Sequence, residues 1–166
     1  MSHVTFRLYI FIDFWNFQLS INKIDKTQKI DWAILPRVLI QEVSPLLFVE
    51  ADSIIFQNMN IYVSYNPESS QDRGLIGWAQ NVLNTFPGTQ VTLIERKPVQ
   101  SHPKCPECYT VIEKCSHCGK DMRGTQEKGV DTLIATDMIR LAWQDTYDVG
   151  ILISALIRIL YPSSNF

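Results

Sequence analysis

The chain has 166 residues, 46% of them hydrophobic, enough for one compact domain with a real core and a small insertion but too few for two full domains. Fifteen basic residues against seventeen acidic ones give a formal charge of -2, which excludes a positive field over the whole molecule, so any nucleic-acid contact must be local. Met1-Ser2-His3-Val4-Thr5-Phe6 lacks the pattern of a signal peptide and no apolar run reaches the ~20 residues of a membrane span, so a soluble, cytoplasmic protein without membrane contact is expected.

Phe6 to Ile12 is mostly aromatic and β-branched and is predicted to be a buried strand ending at Asp13, of the kind found in a parallel sheet. From Asp31 to about Glu50, Ile34, Leu35, Val38, Leu39 and Val43 recur at helical spacing, with Asp31 as N-cap, Pro36 in the tolerant first turn and Pro45 as a breaker. A second strand is predicted over Ile54 to Tyr65, a turn-rich loop over Asn66 to Gln71, a helix over Asp72 to Phe86 closed by Pro87-Gly88, and a third strand over Val91 to Glu95.

The composition then changes. Residues 98–125 hold all four cysteines, several lysines and no long apolar pattern, and are expected to form an inserted lobe. Asp131 to Trp143 returns to helical period and Val149 to Ser154 is a further short buried strand, giving an α/β sandwich; no internal repeat is expected.

Asp13 follows the first strand directly, where open α/β sheets bind ligands, and Asn16 could reach the same crevice if the chain turns into a helix there. Capping that helix is the competing role for Asp13. Asp131 opens the later helix after Glu127-Lys128-Gly129, where, taken alone, it fits a cap better than a ligand, and Asp137 is divided between a metal site and a solvated or paired surface. Carboxylates gathered in a cleft suit Mg²⁺ or Mn²⁺, which activate water against a phosphodiester.

Cys105-Pro106-Glu107-Cys108 and Cys115-Ser116-His117-Cys118-Gly119 form two Cys-x-x-Cys knuckles, a spacing suited to structural, tetrahedral Zn²⁺ on Cys105, Cys108, Cys115 and Cys118. His102 and His117 are expected to be exposed or hydrogen-bonded neighbours. Lys97, Lys104, Lys114, Lys120 and Arg123 make the lobe basic, either as a solvated face or as phosphate contacts. A redox role for the cysteines is the competing reading.

Strand-Ile12-Asp13-x-x-Asn16, the insert of paired cysteines, Lys128-Gly129-Val130-Asp131-x-x-Ile134-Ala135-x-Asp137-Met138 and Asp148-Val149-Gly150-Ile151-Leu152-Ile153-Ser154 resemble bacterial NYN domains of the LabA-like type, within the PIN-like nuclease fold. The resemblance implies a Rossmann-like three-layer sandwich over residues 1–154, interrupted by a zinc-ribbon-like lobe. It also implies a Mg²⁺ or Mn²⁺ site on Asp13 and Asp131, with Asn16 and Asp137 at matching catalytic positions, and ribonuclease activity on RNA. A regulatory module that binds RNA or protein without cleaving is the alternative.

After Ser154 the family usually continues Ser-x-Asp-x-Asp-Phe with a helix and a fifth strand, whereas this chain reads Ala155-Leu156-Ile157-Arg158-Ile159-Leu160-Tyr161-Pro162. Codons exist for Leu156 to Pro162 whose shifted frame reads Asp-Pro-Asp-Phe-Ile-Pro, so residues 155–166 are expected to be a frameshifted or truncated tail. A bare sheet edge, open to a second copy or a protein partner, would follow.

Overall fold

The computed structural model describes residues 5–155 and 157–160. Strand β1 (Phe6–Asp13) lies at the centre of a five-stranded sheet that also contains β2 (Ile54–Tyr65), β3 (Thr89–Glu95), β6 (Val149–Ile153) and β7 (Ile157–Leu160), in the order β3-β2-β1-β6-β7. The first four run parallel and β7 runs antiparallel to β6.

Alternation along β1 explains the layering. Leu8, Ile10 and Ile12 point into a cluster with Trp32, Leu39, Val43 and Leu83, built under α1 (Phe14–Ile24), α2 (Leu35–Val43) and α3 (Ser70–Asn81). Tyr9 and Phe11 point the other way, onto Val130, Ile134 and Leu141 of α4 (Val130–Trp143) and Tyr147. The fold is α/β with a mostly parallel central sheet and helices on both faces. No helix among the described residues is long and apolar enough to cross a membrane.

Three helical expectations shift. Helix α1 has no unconditional counterpart in the sequence reading, because Phe14-Trp15-Asn16-Phe17 continues the aromatic run of β1 without a helical stripe. Asp31 caps a turn ahead of α2, its Oδ1 accepting from the N–H of Ala33 and Ile34, and α2 gives way at Pro45 to a 3₁₀ turn over Ser44–Leu47. Helix α3 begins after Ser69, whose hydroxyl accepts from the Asp72 N–H at 3.3 Å, and ends before Val82, with a 3₁₀ turn over Leu83–Thr85.

The bare edge expected beside β6 is covered by the chain itself. Ile157-Arg158-Ile159-Leu160 turns back as β7, pairing Ile153 with Ile157 and Gly150 with Leu160, and Ile159 packs on the core. The free edge therefore belongs to β7, where Ile157 is exposed. Leu156 and residues 161–166, on which the frameshift expectation also falls, lie outside the described residues.

The insertion starts from β4 (Lys97–Pro98) paired antiparallel with β5 (Thr125–Gln126). Contrary to the expectation of no repeat, it contains one, with a period of ten residues. Lys104 bridges to Val111 as Lys114 does to Asp121. The Cys105 N–H donates to Thr110 O at 2.9 Å as Cys115 N–H does to Lys120 O at 2.8 Å, and Ile112 to Pro103 matches Met122 to Glu113. Only Lys104/Lys114 and the cysteine pairs coincide in side-chain identity, so the duplication lies mainly in the backbone.

Candidate metal-binding crevice and the cysteine lobe

Asp13 is 1% exposed at the carboxyl end of β1. Its Oδ1 accepts from the Asn16 backbone N–H at 3.1 Å and its Oδ2 from Asn16 Nδ2 at 2.7 Å. Cap and companion thus coincide: Asp13 is the N-cap of α1, and Asn16 is the residue that holds its carboxylate. By the alternation of Tyr9 and Phe11, Asp13 belongs to the α4 face of the sheet.

Ile12 pairs with Ile153, so Asp13 and Ser154 leave the sheet side by side. Ser154 and Leu152 form a small cleft with Asp131, Ile134, Ala135 and Met138 of α4. Asp131 is exposed and does not cap its helix, because the N-cap is Gly129, at a φ of 86° that favours glycine, and no side chain caps that end. Asp13 and Asp131 therefore share one end and one face of the sheet, although Asp13 does not line the cleft itself.

Asp137 is placed differently. Its Oδ2 accepts from the Tyr62 hydroxyl at 2.9 Å and its Oδ1 pairs with Arg140 at 3.0 Å. Tyr62 is fully buried and stands opposite Asp13 in the β1–β2 register. Burial pushes the Tyr62 hydroxyl well above the usual phenol range, and the Asp137 charge adds to that after a smaller opposing hydrogen bond from Asn60, so the group stays a proton donor. A ladder of Asn58, Asn60 and Tyr62, joined through the Tyr9 hydroxyl, runs along β2 under α4.

Sequence reasoning missed a second set of residues at the same end. Ser64, buried, receives Arg96 Nε on its hydroxyl at 3.0 Å and donates to Glu127 Oε2, while its carbonyl accepts from Trp15 Nε1 at 2.6 Å. The Arg96 guanidinium lies 5.1 Å from the Trp15 ring centre. Arg96 and Glu127 flank the two ends of the insertion, so this clamp fastens the lobe to the crevice. The only signal in the sequence was polar residues at the ends of predicted elements.

Within the lobe, the Cys108 thiol is drawn down to about 7 by hydrogen bonds from Thr110 and then Cys105, and Cys115 is lowered by the N–H groups of Cys118 and His117. Both favour the thiolate that binds metal. His102 pairs with Asp121, which Arg123 holds at about 2. Each cysteine pair is together. Among the described residues, however, no three His, Cys, Asp or Glu side chains converge closely enough to hold a metal, either here or at Asp13.

Compared with protein-family models, curated proteins and solved structures, the chain gives no match in any of the three.

Proposed function

We propose that the protein is a divalent-metal-dependent ribonuclease of the NYN type, with its centre at the carboxyl end of β1. One observation carries the reading: a carboxylate that is 1% exposed at the end of the central parallel strand, held by Asn16 and on the same face as Asp131. Asn16 supplies Asp13 with N–H donors, and no ion pair to Asp13 is present among the described residues, which leaves the carboxylate without a cation.

The donor chemistry fits Mg²⁺ or Mn²⁺. Asp13 and Asp131 offer hard oxygens, and Mg²⁺ commonly takes one or two carboxylates while keeping waters and substrate phosphate in the other positions. When bound, the ion would supply water activation and charge stabilisation at the phosphodiester. Asn16 fixes the direction of Asp13, and the Tyr62 to Asp137 bond sets α4, and with it Asp131, against the sheet.

Zinc fits the lobe for a separate reason. From residue 97 to residue 126 no side chain is buried, so the segment has no apolar core to offset its conformational entropy. Four thiolates on two matching knuckles are the remaining means of holding it, and structural zinc contributes folding energy directly.

A second reading, a module that binds RNA without cutting it, is favoured by β7, which carries Arg158 where the resembled family places carboxylates. Asp13→Asn separates the two, because the asparagine Oδ1 still caps α1 and the Asn16 amide can turn to accept from the new Nδ2, so the charge is lost while the start of the helix is kept. Under the first reading, Mg²⁺-dependent cleavage of single-stranded RNA falls at least ~100-fold with the fold intact. Cleavage at the wild-type rate by that variant would eliminate the proposed centre.

A further inference from the structure

The ten-residue repeat provides an internal control for one residue of the lobe. Tyr109 and Gly119 hold equivalent places, each donating its N–H to the first cysteine of its knuckle at 2.9 Å, and both adopt left-handed backbone, at φ 59° and 71°. Glycine does this freely, whereas a tyrosine there is strained. Burial does not compensate: Tyr109 is 73% exposed and its ring stacks on no other ring among the described residues. A strained aromatic that is mostly exposed and stacks on no other ring points to a ligand outside the chain.

Charge narrows the ligand. Residues 97–126 contain five Lys and Arg and three Asp and Glu, a net +2, while the rest of the chain carries -4. Arg123 is taken up by Asp121, yet no lysine of the lobe has an ion-pair partner among the described residues. Free lysines around an exposed ring match the pattern by which single strands are held, with phosphates on the cations and a base on the aromatic face. A duplex, whose bases are already stacked, cannot use the ring.

We infer that the cysteine lobe is a single-stranded RNA-binding arm in which Tyr109 stacks on a base and Lys104, Lys114 and Lys120 contact the flanking phosphates. This deepens the ribonuclease reading by naming a single-stranded substrate, but binding does not require cleavage. The test therefore uses the full chain carrying Asp13→Asn, without added Mg²⁺, and follows the anisotropy of a labelled single-stranded oligouridine and of a duplex RNA of equal length.

Tyr109→Ala and Tyr109→Gly are expected to weaken single-strand binding by roughly 5- to 100-fold. Tyr109→Phe should stay within about 3-fold, since the ring is kept. Tyr109→Gly also relieves the backbone strain, so its lobe should resist proteolysis at least as well as the wild type, which separates lost contact from lost folding. The proposal is overturned by wild-type affinity in Tyr109→Gly, by equal binding of duplex, or by an Asp13→Asn chain that ignores RNA and engages a protein instead. Unchanged RNA cleavage by Asp13→Asn would refute the catalytic centre and leave this binding result standing.

Discussion

Removing the Tyr62 hydroxyl tests how α4 is held over the crevice. Phenylalanine fills the same fully buried space, so Tyr62→Phe opens no cavity and deletes one bond, the 2.9 Å donation to Asp137. Hydrogen bonds to charged groups are worth about 1.5–3 kcal/mol. Asp137 keeps Arg140 and is partly solvated, and Asn60 loses only an acceptor at 3.5 Å, so the loss should be about 1–2 kcal/mol. For a chain of this size that lowers Tm by roughly 2–8 °C. Urea and thermal unfolding of Tyr62→Phe, Asp137→Asn and the double variant should give a coupling energy of about 1 kcal/mol or more. As a positioning residue, Asp137 should also tolerate the asparagine change with most of any Mg²⁺-dependent cleavage retained. Single variants within about 0.5 kcal/mol of the wild type, together with cleavage abolished in Asp137→Asn, would refute this reasoning and make Asp137 a ligand.

Arg7 grips Asp148 through Nε and a terminal nitrogen at 3.0 and 2.8 Å, holding that carboxyl below the usual range. Its contribution is therefore complete above about pH 5 and is lost as acid protonates it. The stability gap between wild type and Asp148→Asn should stay level above about pH 5 and narrow progressively in acid-unfolding curves as the pH falls below the ordinary carboxylate range. Zinc removal should let trypsin cut first at Lys104, Lys114 and Lys120 while the melting transition of the α/β body persists, and metal analysis should find one zinc per chain; equal protection with and without chelator would remove the metal from the lobe. Gly88→Ala should cost about 2–4 kcal/mol, because a Cβ there lies 2.7 Å from Phe56 Cε1 at a φ of 68°, and a melting curve matching the wild type would contradict that contact.

The strands were legible because their signal is local. Apart from Arg7, Phe6 to Ile12 is a continuous apolar run, as Val149 to Ile153 is, and Ile54 to Tyr65, although it carries Gln57, Asn58, Asn60 and Ser64, is rich in the β-branched and aromatic residues that strands favour. The first helix was not, since its aromatic start satisfies either period and only the Asp13 cap with its Asn16 partner decides for helix. The ten-residue repeat escaped notice because so few side chains recur, whereas the backbone bonds that define it recur in order.

The sequence by itself determined the α/β class of the fold and the place of the insertion, since each depends on residue type and spacing within a short window. Tertiary structure alone decided which acids share a face, that Asp137 serves Tyr62 and Arg140, that Ser64, Arg96 and Glu127 tie the lobe to the crevice, and that β7 closes the side of β6. Those relations join residues tens of positions apart, and their partners are chosen by strand order and register, which no local pattern of side chains encodes.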